Sequence, residues 1–600
     1  MDNVASLMHG FSVALTTHHI LLMMAGVLLG ILVGVLPGLG APNGVSLMLP
    51  LTFTMDPVSA IILLTSLYWG ALFGGSTTSI LFNIPGEPSS VATTFDGHPM
   101  AKQGRATEAL SFAFLSAGIG ALAGVILITL LSGWVAKFAL RFSSPEYFAV
   151  YFMTFASFIG LGGASPFKAV VSMGVGFALA SVGMDSVSGN IRLTYDFDVL
   201  LGGISFLIAV IGLFGIGELL LTMEEGLRFE GVAAKVRVRD VLLTAAKLPR
   251  YWLALLRSSA IGIWMGITPG GPTAASFMSY AMAKRSSRNP AKFGKGEPEG
   301  VIAPETADHA AGSAAMLPML ALGIPGSATA AVMMGGLMIW GLNPGPMLFI
   351  ERPDFVWGLI ASMYLGNVVA VVVVLATVPL FASILRIPFS IVAPLIVMIC
   401  FIGAYTVASK EFDIWVALAF RIVGYVFKKL DYPIAPLILA MVIGDKAEDA
   451  FRQSMIFSQG SLSIFWSNPL VTTLMGIGLA LLLLPLIGFV ASWPMQEGWL
   501  GPAMADRWTR ALLATADVGA FRDLTGTAYP VLPLGFDMVL ALVPGLGGMP
   551  APLLVNVLML SIAASLWVRM LVAGGQGILQ AIYAFPLWQR CWAVDLRHIT

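Results

Sequence analysis

The most constraining feature of this sequence is a series of long apolar runs that contain no charged residue. Twelve runs of 18 residues or more lack Asp, Glu, Lys, Arg and His, among them 20–55, 57–86, 109–136, 258–283, 310–350 and 453–496. A helix needs about 20 such residues to cross the hydrocarbon core of a bilayer. Hydrophobic residues make up 58% of the 600 and charged residues only 11%, against about 25% charged in soluble proteins. No aqueous fold hides that much apolar surface, so the expected solvent is lipid. The runs are continuous and lack the in–out alternation of an outer-membrane barrel. They predict an all-α polytopic membrane protein with about 11–14 transmembrane helices.

The 32 basic and 32 acidic residues cancel. No basic excess is available to neutralise phosphates, so nucleic acid is not an expected partner. Cys400 and Cys591 lie too far apart for metal-ligand spacing, and two cysteines make no disulfide framework. Residues 1–19 are short of positive charge and lack a small-residue cleavage site, so the first span is expected to direct its own insertion. Basic residues cluster at Lys102 and Arg105, from Arg228 to Arg257, and from Lys284 to Lys295. The positive-inside rule places these loops in the cytoplasm. Only 26 residues separate Arg257 from Lys284, too few for two full crossings. A re-entrant hairpin around Thr268–Gly271 meets both constraints, provided it is buried in protein or lines a cavity. A single span with one cluster outside is the plainer alternative.

Glycine and proline interrupt the apolar runs in a repeated order. Gly34-Val35-Leu36-Pro37-Gly38-Leu39-Gly40-Ala41-Pro42 is echoed by Gly266-Ile267-Thr268-Pro269-Gly270-Gly271-Pro272, with the prolines 232 residues apart. Phe82-Asn83-Ile84-Pro85-Gly86 is echoed by Leu322-Gly323-Ile324-Pro325-Gly326, 240 residues later. Shared order at nearly shared offset predicts two homologous repeats, about 20–240 and 250–480. Residues 495–600 form an unassigned hydrophobic appendage. Proline and glycine break a helix and free its backbone groups. Matching breaks in the two halves of a repeat transporter mark a substrate site near the midplane, and the amide ends of half-helices favour an anion. Close helix packing is the alternative use of the same residues.

The substrate-binding candidates are therefore the breaks and the polar residues beside them: Gly38, Gly40, Asn43, Ser76, Thr77, Thr78, Ser79, Asn83, Pro85 and Gly86 in the first half, and Pro269, Gly270, Gly271, Thr273, Gly323, Pro325, Gly326, Ser327 and Thr329 in the second. Their hydroxyls and amides can donate to carboxylate oxygens or offer oxygen to a cation. Ser and Thr can equally bond their own helix carbonyls. Asp96 and His98, beside Lys102 and Arg105, read as a solvated loop.

At these residues the chain resembles the large membrane subunit (TctA type) of the bacterial tripartite tricarboxylate transporters. The matching stretches are LPGLGAPNGVSLMLP at 36–50, YWGALFGGSTTSILFNIPGEPSSVATTFDGHPMAKQGR at 68–105, Gly266–Lys284, and Glu299–Pro346, which contains APETADHAAG and LALGIPGSATAAVMMGG. The resemblance implies ion-coupled uptake of a small di- or tricarboxylate across the bacterial inner membrane, with Na⁺ or H⁺ as the coupling ion and no other cofactor. It implies two protein partners, a periplasmic solute-binding protein and a small four-span membrane subunit. An organic-anion transporter working without a binding protein is the alternative. Glu87 matches the family motif and, as an intramembrane carboxylate, is a candidate for ion coupling. Asp308 and His309 stand where the family usually has an Asn pair. They can bind or relay a proton. With Glu297, Glu299 and Glu305 close by, they equally suit a surface loop.

A channel would need a filter-like sequence, and none is present. A membrane enzyme would need a nucleophile or metal constellation, and the six His and two Cys give no usable spacing. No catalytic activity is expected.

Overall fold

The computed structural model describes residues 3–36, 39–161, 165–185, 188–216, 238–268, 271–287, 289–384, 394, 397–398 and 411–496. Gly38, Pro269, Gly270, both cysteines and nearly all of the 495–600 appendage lie outside the described residues. The chain divides into a main unit, Met1–Phe457 with Leu462–Leu486, and a second unit, Ser458–Ser461 with Ile487–Thr600. In the second unit, the described residues are Ser458–Ser461 and the helical stretch 487–496.

The main unit is helical. A two-residue antiparallel pair, Gly183–Met184 with Ile191–Arg192, is the sole strand pairing among the described residues. Five helical segments among them are long and apolar enough to cross a membrane: Thr17–Val35, Pro57–Phe82, Pro88–Ala139, Pro353–Val378 and Pro469–Leu486. Other apolar runs are cut at their Gly–Pro breaks. The 20–55 run ends one helix at Val35 and starts another, Gly40–Met48. The 310–350 run is divided into Met316–Leu322 and Ala328–Ile339. The Arg257–Lys284 stretch forms two 16-residue helices, Trp252–Ile267 and Gly271–Ser286. These run antiparallel, because Ser258, in the first half of the first, and Ser279, in the second half of the second, share a 2.7 Å hydrogen bond. Each arm is about 24 Å long at 1.5 Å per residue, shorter than the roughly 30 Å hydrocarbon core.

Helix Pro57–Phe82 is the centre of the unit and is almost wholly buried, with Tyr68, Trp69 and Phe73 at its heart. Lipid offers no hydrophobic drive between helices, so close backbone approach through small residues supplies the packing. Gly30 and Gly34 on Thr17–Val35 meet the carbonyls of Leu67 and Ala71 so closely that no Cβ fits. Gly262 and Gly266 on Trp252–Ile267 do the same against Ala307 and Ala311 of helix Glu299–Ala314. Both glycine pairs are four residues apart, and both precede their proline break by three and seven residues. Helix Glu299–Ala314 also packs on Ala106–Ala139 and on the hairpin arm Gly271–Ser286.

Two polar residues lie elsewhere than expected. Asp96 is fully buried, not solvated. Its carboxylate accepts from the backbone N–H groups of Gly294, Gly296 and Glu297 and from the Tyr280 hydroxyl at 2.8–3.0 Å. Loop amides replace water, so the buried charge is satisfied. His98 is also buried, with Nδ1 3.1 Å from the Ile80 carbonyl oxygen.

Candidate functional site

Both Pro–Gly elements are built the same way. Helix Pro57–Phe82 ends on Asn83 in the left-handed conformation (φ 59°), and Met316–Leu322 ends on Gly323 (φ 69°). Asn and Gly are the residues that tolerate this geometry. After each cap an isoleucine N–H reaches back six residues, Ile84 to the Thr78 carbonyl at 3.5 Å and Ile324 to the Pro318 carbonyl at 3.2 Å. Each bond satisfies a carbonyl that the helix end would otherwise leave unpaired. Gly86 then packs on the Gly34 carbonyl and Gly326 on the Gly266 carbonyl, so each Pro–Gly turn seats on the tip of the broken helix of its own half.

The two halves differ at the next residue. Ser327 caps its own helix, its hydroxyl accepting from the Ala330 N–H at 3.2 Å. Glu87 instead reaches across to the first broken helix. Its side chain lies over Gly75, where a Cβ would be 2.9–3.0 Å from the Glu87 Cβ and Cγ. Its carboxylate accepts from the Ala41 N–H, and Gly40 (φ 49°) leaves room for it. Leu39 offers no side-chain cap to helix Gly40–Met48, so Glu87 supplies an acceptor from 46 residues away. The amide end of that helix is thus met by an internal carboxyl oxygen. At the corresponding start, a Cβ added at Gly271 (φ 65°) would lie 3.7 Å from both the Gly326 carbonyl oxygen and the Ser327 Cβ.

A second group of carboxylates sits on helix Glu299–Ala314. Glu305, Asp308 and His309 are at most 1% exposed. Their i, i+3, i+4 spacing puts them on one face. Ser76 donates to Glu305 Oε2 at 2.7 Å and Thr93 to Glu305 Oε1 at 2.5 Å. Ser89 donates to Asp308 Oδ2 at 3.1 Å. His309 Nδ1 lies 4.0 Å from Glu305 Oε2, 3.9 Å from Asp308 Oδ2 and 3.2 Å from the Glu305 backbone oxygen. Its ring centroid is 4.4 Å from that of Phe73. Hydroxyls of the first half therefore meet carboxylates of the second.

Of the candidates read from sequence, this arrangement uses Ser76, Glu87, Asp308 and His309 directly. Ser79 bonds the Ser90 hydroxyl at 2.9 Å. Thr77 and Thr78 donate to carbonyls of their own helix, Phe73 at 3.0 Å and Gly75 at 2.9 Å. Asn43, Pro325 and Thr329 are buried and Pro85 is half-buried, whereas Asn83 and Thr273 are exposed. Asp308 and His309 are not a surface pair. Small residues flank them, and helix packing encloses their face. Glu305, which the sequence groups with the nearby charges Glu297 and Glu299, is the residue that sequence reasoning missed. Its signal was the shared helical face with Asp308 and His309 in an alanine-rich stretch. Ser89, which bonds Asp308, and Thr93, which bonds Glu305, belong to the Ser/Thr-rich stretch that follows Pro85-Gly86.

The family model for the tripartite tricarboxylate transporter TctA family matches residues 20–439. The chain belongs to the TctA family. It is 37% identical over 494 residues to an uncharacterized 52.8 kDa protein in the TAR-I ttuC' 3' region of Agrobacterium vitis, covering 82% of this chain and 98% of that one. It is 38% identical over 232 residues to an uncharacterized protein in the TAR-II ttuC' 3' region of the same organism, covering 38% of this chain and 96% of that one. No solved structure matches. TctA membership and the apolar helices make this a membrane protein of a transporter family.

Proposed function

We propose that this TctA protein is the large membrane subunit of a secondary transporter that imports a small di- or tricarboxylate across the bacterial inner membrane. A periplasmic binding protein delivers the substrate, a small four-span subunit completes the membrane complex, and a Na⁺ or H⁺ gradient drives uptake. Its role is transport, not catalysis. The observation that carries this reading is the matched pair of Pro–Gly turns, each seated on the tip of a broken helix inside the family's matched region. The glycine pairs, left-handed caps and six-residue hydrogen bonds recur in the same order. They support two repeats, about 20–240 and 250–480, that move against each other in alternating access.

The tips are not equivalent seats for an anion. Glu87 occupies the first, so a substrate carboxylate is assigned to the start of helix Gly271–Ser286, with the Ser327 side chain beside it. The test is uptake of radiolabelled carboxylates into vesicles holding this chain, the small subunit and the cognate binding protein. Saturable uptake that collapses when the ion gradient is dissipated is expected. Absence of uptake across a panel of di- and tricarboxylates, with protein and partners present, would refute the reading.

A further inference from the structure

Glu305 and Asp308 pose an electrostatic problem that their hydrogen bonds do not solve. Both are carboxylates without exposure, six and nine residues into helix Glu299–Ala314. At 1.5 Å per residue they lie about 9 and 14 Å along the helix. Glu87 is a third buried carboxylate, and Ser89, two residues on, touches Asp308. Among the described residues no Lys or Arg pairs with any of the three, although Glu299 at the helix start pairs with Arg257 at 3.0 Å. Buried carboxylates in a membrane protein are held by partners or by cations. Two further polar atoms nearby are buried and make no hydrogen bond: Asp308 Oδ1 and His309 Nε2.

We infer that Glu305, Asp308 and His309, with the Ser76 and Ser89 hydroxyls, form a binding site for one small alkali cation, Na⁺. Ligand atoms of the three residues, two carboxylate oxygens and one imidazole nitrogen, lie within 4.8 Å of one another, a span that an ion with bonds of about 2.4 Å bridges. Carboxylate and hydroxyl oxygens suit a hard cation. Mg²⁺ dehydrates reluctantly and keeps several waters, and Ca²⁺ takes six to eight oxygens. A closely packed site with about four oxygens favours a monovalent ion that sheds its water readily. Ser76 and Ser89 come from the first half and the carboxylates from the second, so the ion ties the two together. The inference rests on the transporter reading and names the coupling ion of that site.

Thermal unfolding of the purified full-length protein in NaCl, KCl, MgCl₂, CaCl₂ and choline chloride at fixed ionic strength and pH tests it. A saturable stabilisation specific to Na⁺ is expected. The Na⁺ concentration giving half the effect should rise at least about tenfold in Glu305→Gln and Asp308→Asn, and also in Ser89→Ala. Ser89→Ala decides the question if the carboxylate variants do not fold. Equal responses to Na⁺ and K⁺, a response to Mg²⁺ or Ca²⁺ at lower concentration than Na⁺, or unchanged Na⁺ curves in the variants would overturn the site. Carboxylate uptake that persists without any Na⁺ response overturns the site alone. Na⁺ stabilisation without uptake of any carboxylate overturns the functional reading alone.

Discussion

The seating of each Pro–Gly turn on its broken helix makes one substitution quantitative. A Cβ added at Gly326 would lie 2.5 Å from the Gly266 carbonyl oxygen, 3.0 Å from Ala315 Cβ and 3.2 Å from Ala315 Cα. Carbon and oxygen approach no closer than about 3.3 Å even in favourable C–H···O contacts, so Gly326→Ala is roughly 0.8 Å too close. The clash is with backbone on one side and a helix on the other, and neither can turn aside. Overpacking of this kind costs about 1–3 kcal/mol. At Gly86 the added Cβ would lie 2.9 Å from both Gly75 Cα and Thr78 Oγ1 and nearer still to the Gly34 carbonyl, so Gly86→Ala should sit at or beyond the top of that range. The order of severity is therefore Gly86→Ala, then Gly326→Ala, and substitution by Leu should be worse at both. Uptake per mole of membrane-inserted protein and the unfolding temperature in detergent measure the effect. Both variants should still insert, because the apolar runs are untouched, while uptake falls. Normal uptake by both variants, or a reversed order, would show that these turns do not seat as described.

The same packing and hydrogen bonding set three further outcomes. Glu87→Ala removes the acceptor at the start of helix Gly40–Met48, which should cost about 1 kcal/mol and speed amide exchange in 40–48 about fivefold, whereas Glu87→Gln keeps an acceptor and should exchange more slowly than the alanine variant. Asp96→Asn loses part of a four-donor cradle and should cost about 3 kcal/mol, read as faster tryptic cleavage at the exposed Lys292 and Lys295; unchanged digestion would sink it. The Ser188 hydroxyl, helped by the Arg452 guanidinium, holds the Asp185 carboxyl well below the usual carboxylate range. Because the folded-state value is depressed, its stabilisation is complete above the unfolded pKa of about 3.9 and is lost as pH falls through the folded value. Asp185→Asn should cost about 3 kcal/mol near neutral pH and flatten the acid side of the stability profile; an unchanged profile would exclude this network as a determinant.

The membrane class, the helical architecture and the breaks were set by the sequence alone, because lipid forces backbone bonds to close locally and so makes charge-free length and Gly–Pro position decisive. The hairpin followed from charge spacing in the same way. What only tertiary structure decided is which polar groups meet. Glu305 lies 229 residues from Ser76 and 212 from Thr93, and Glu87 reaches Ala41 over 46, distances at which no periodicity speaks. Asp96 looked solvated because its neighbours were charged, yet amides nearly 200 residues away enclose it. Local chemistry fixes where a helix stops, whereas burial and pairing of a charge depend on which distant backbone can approach it.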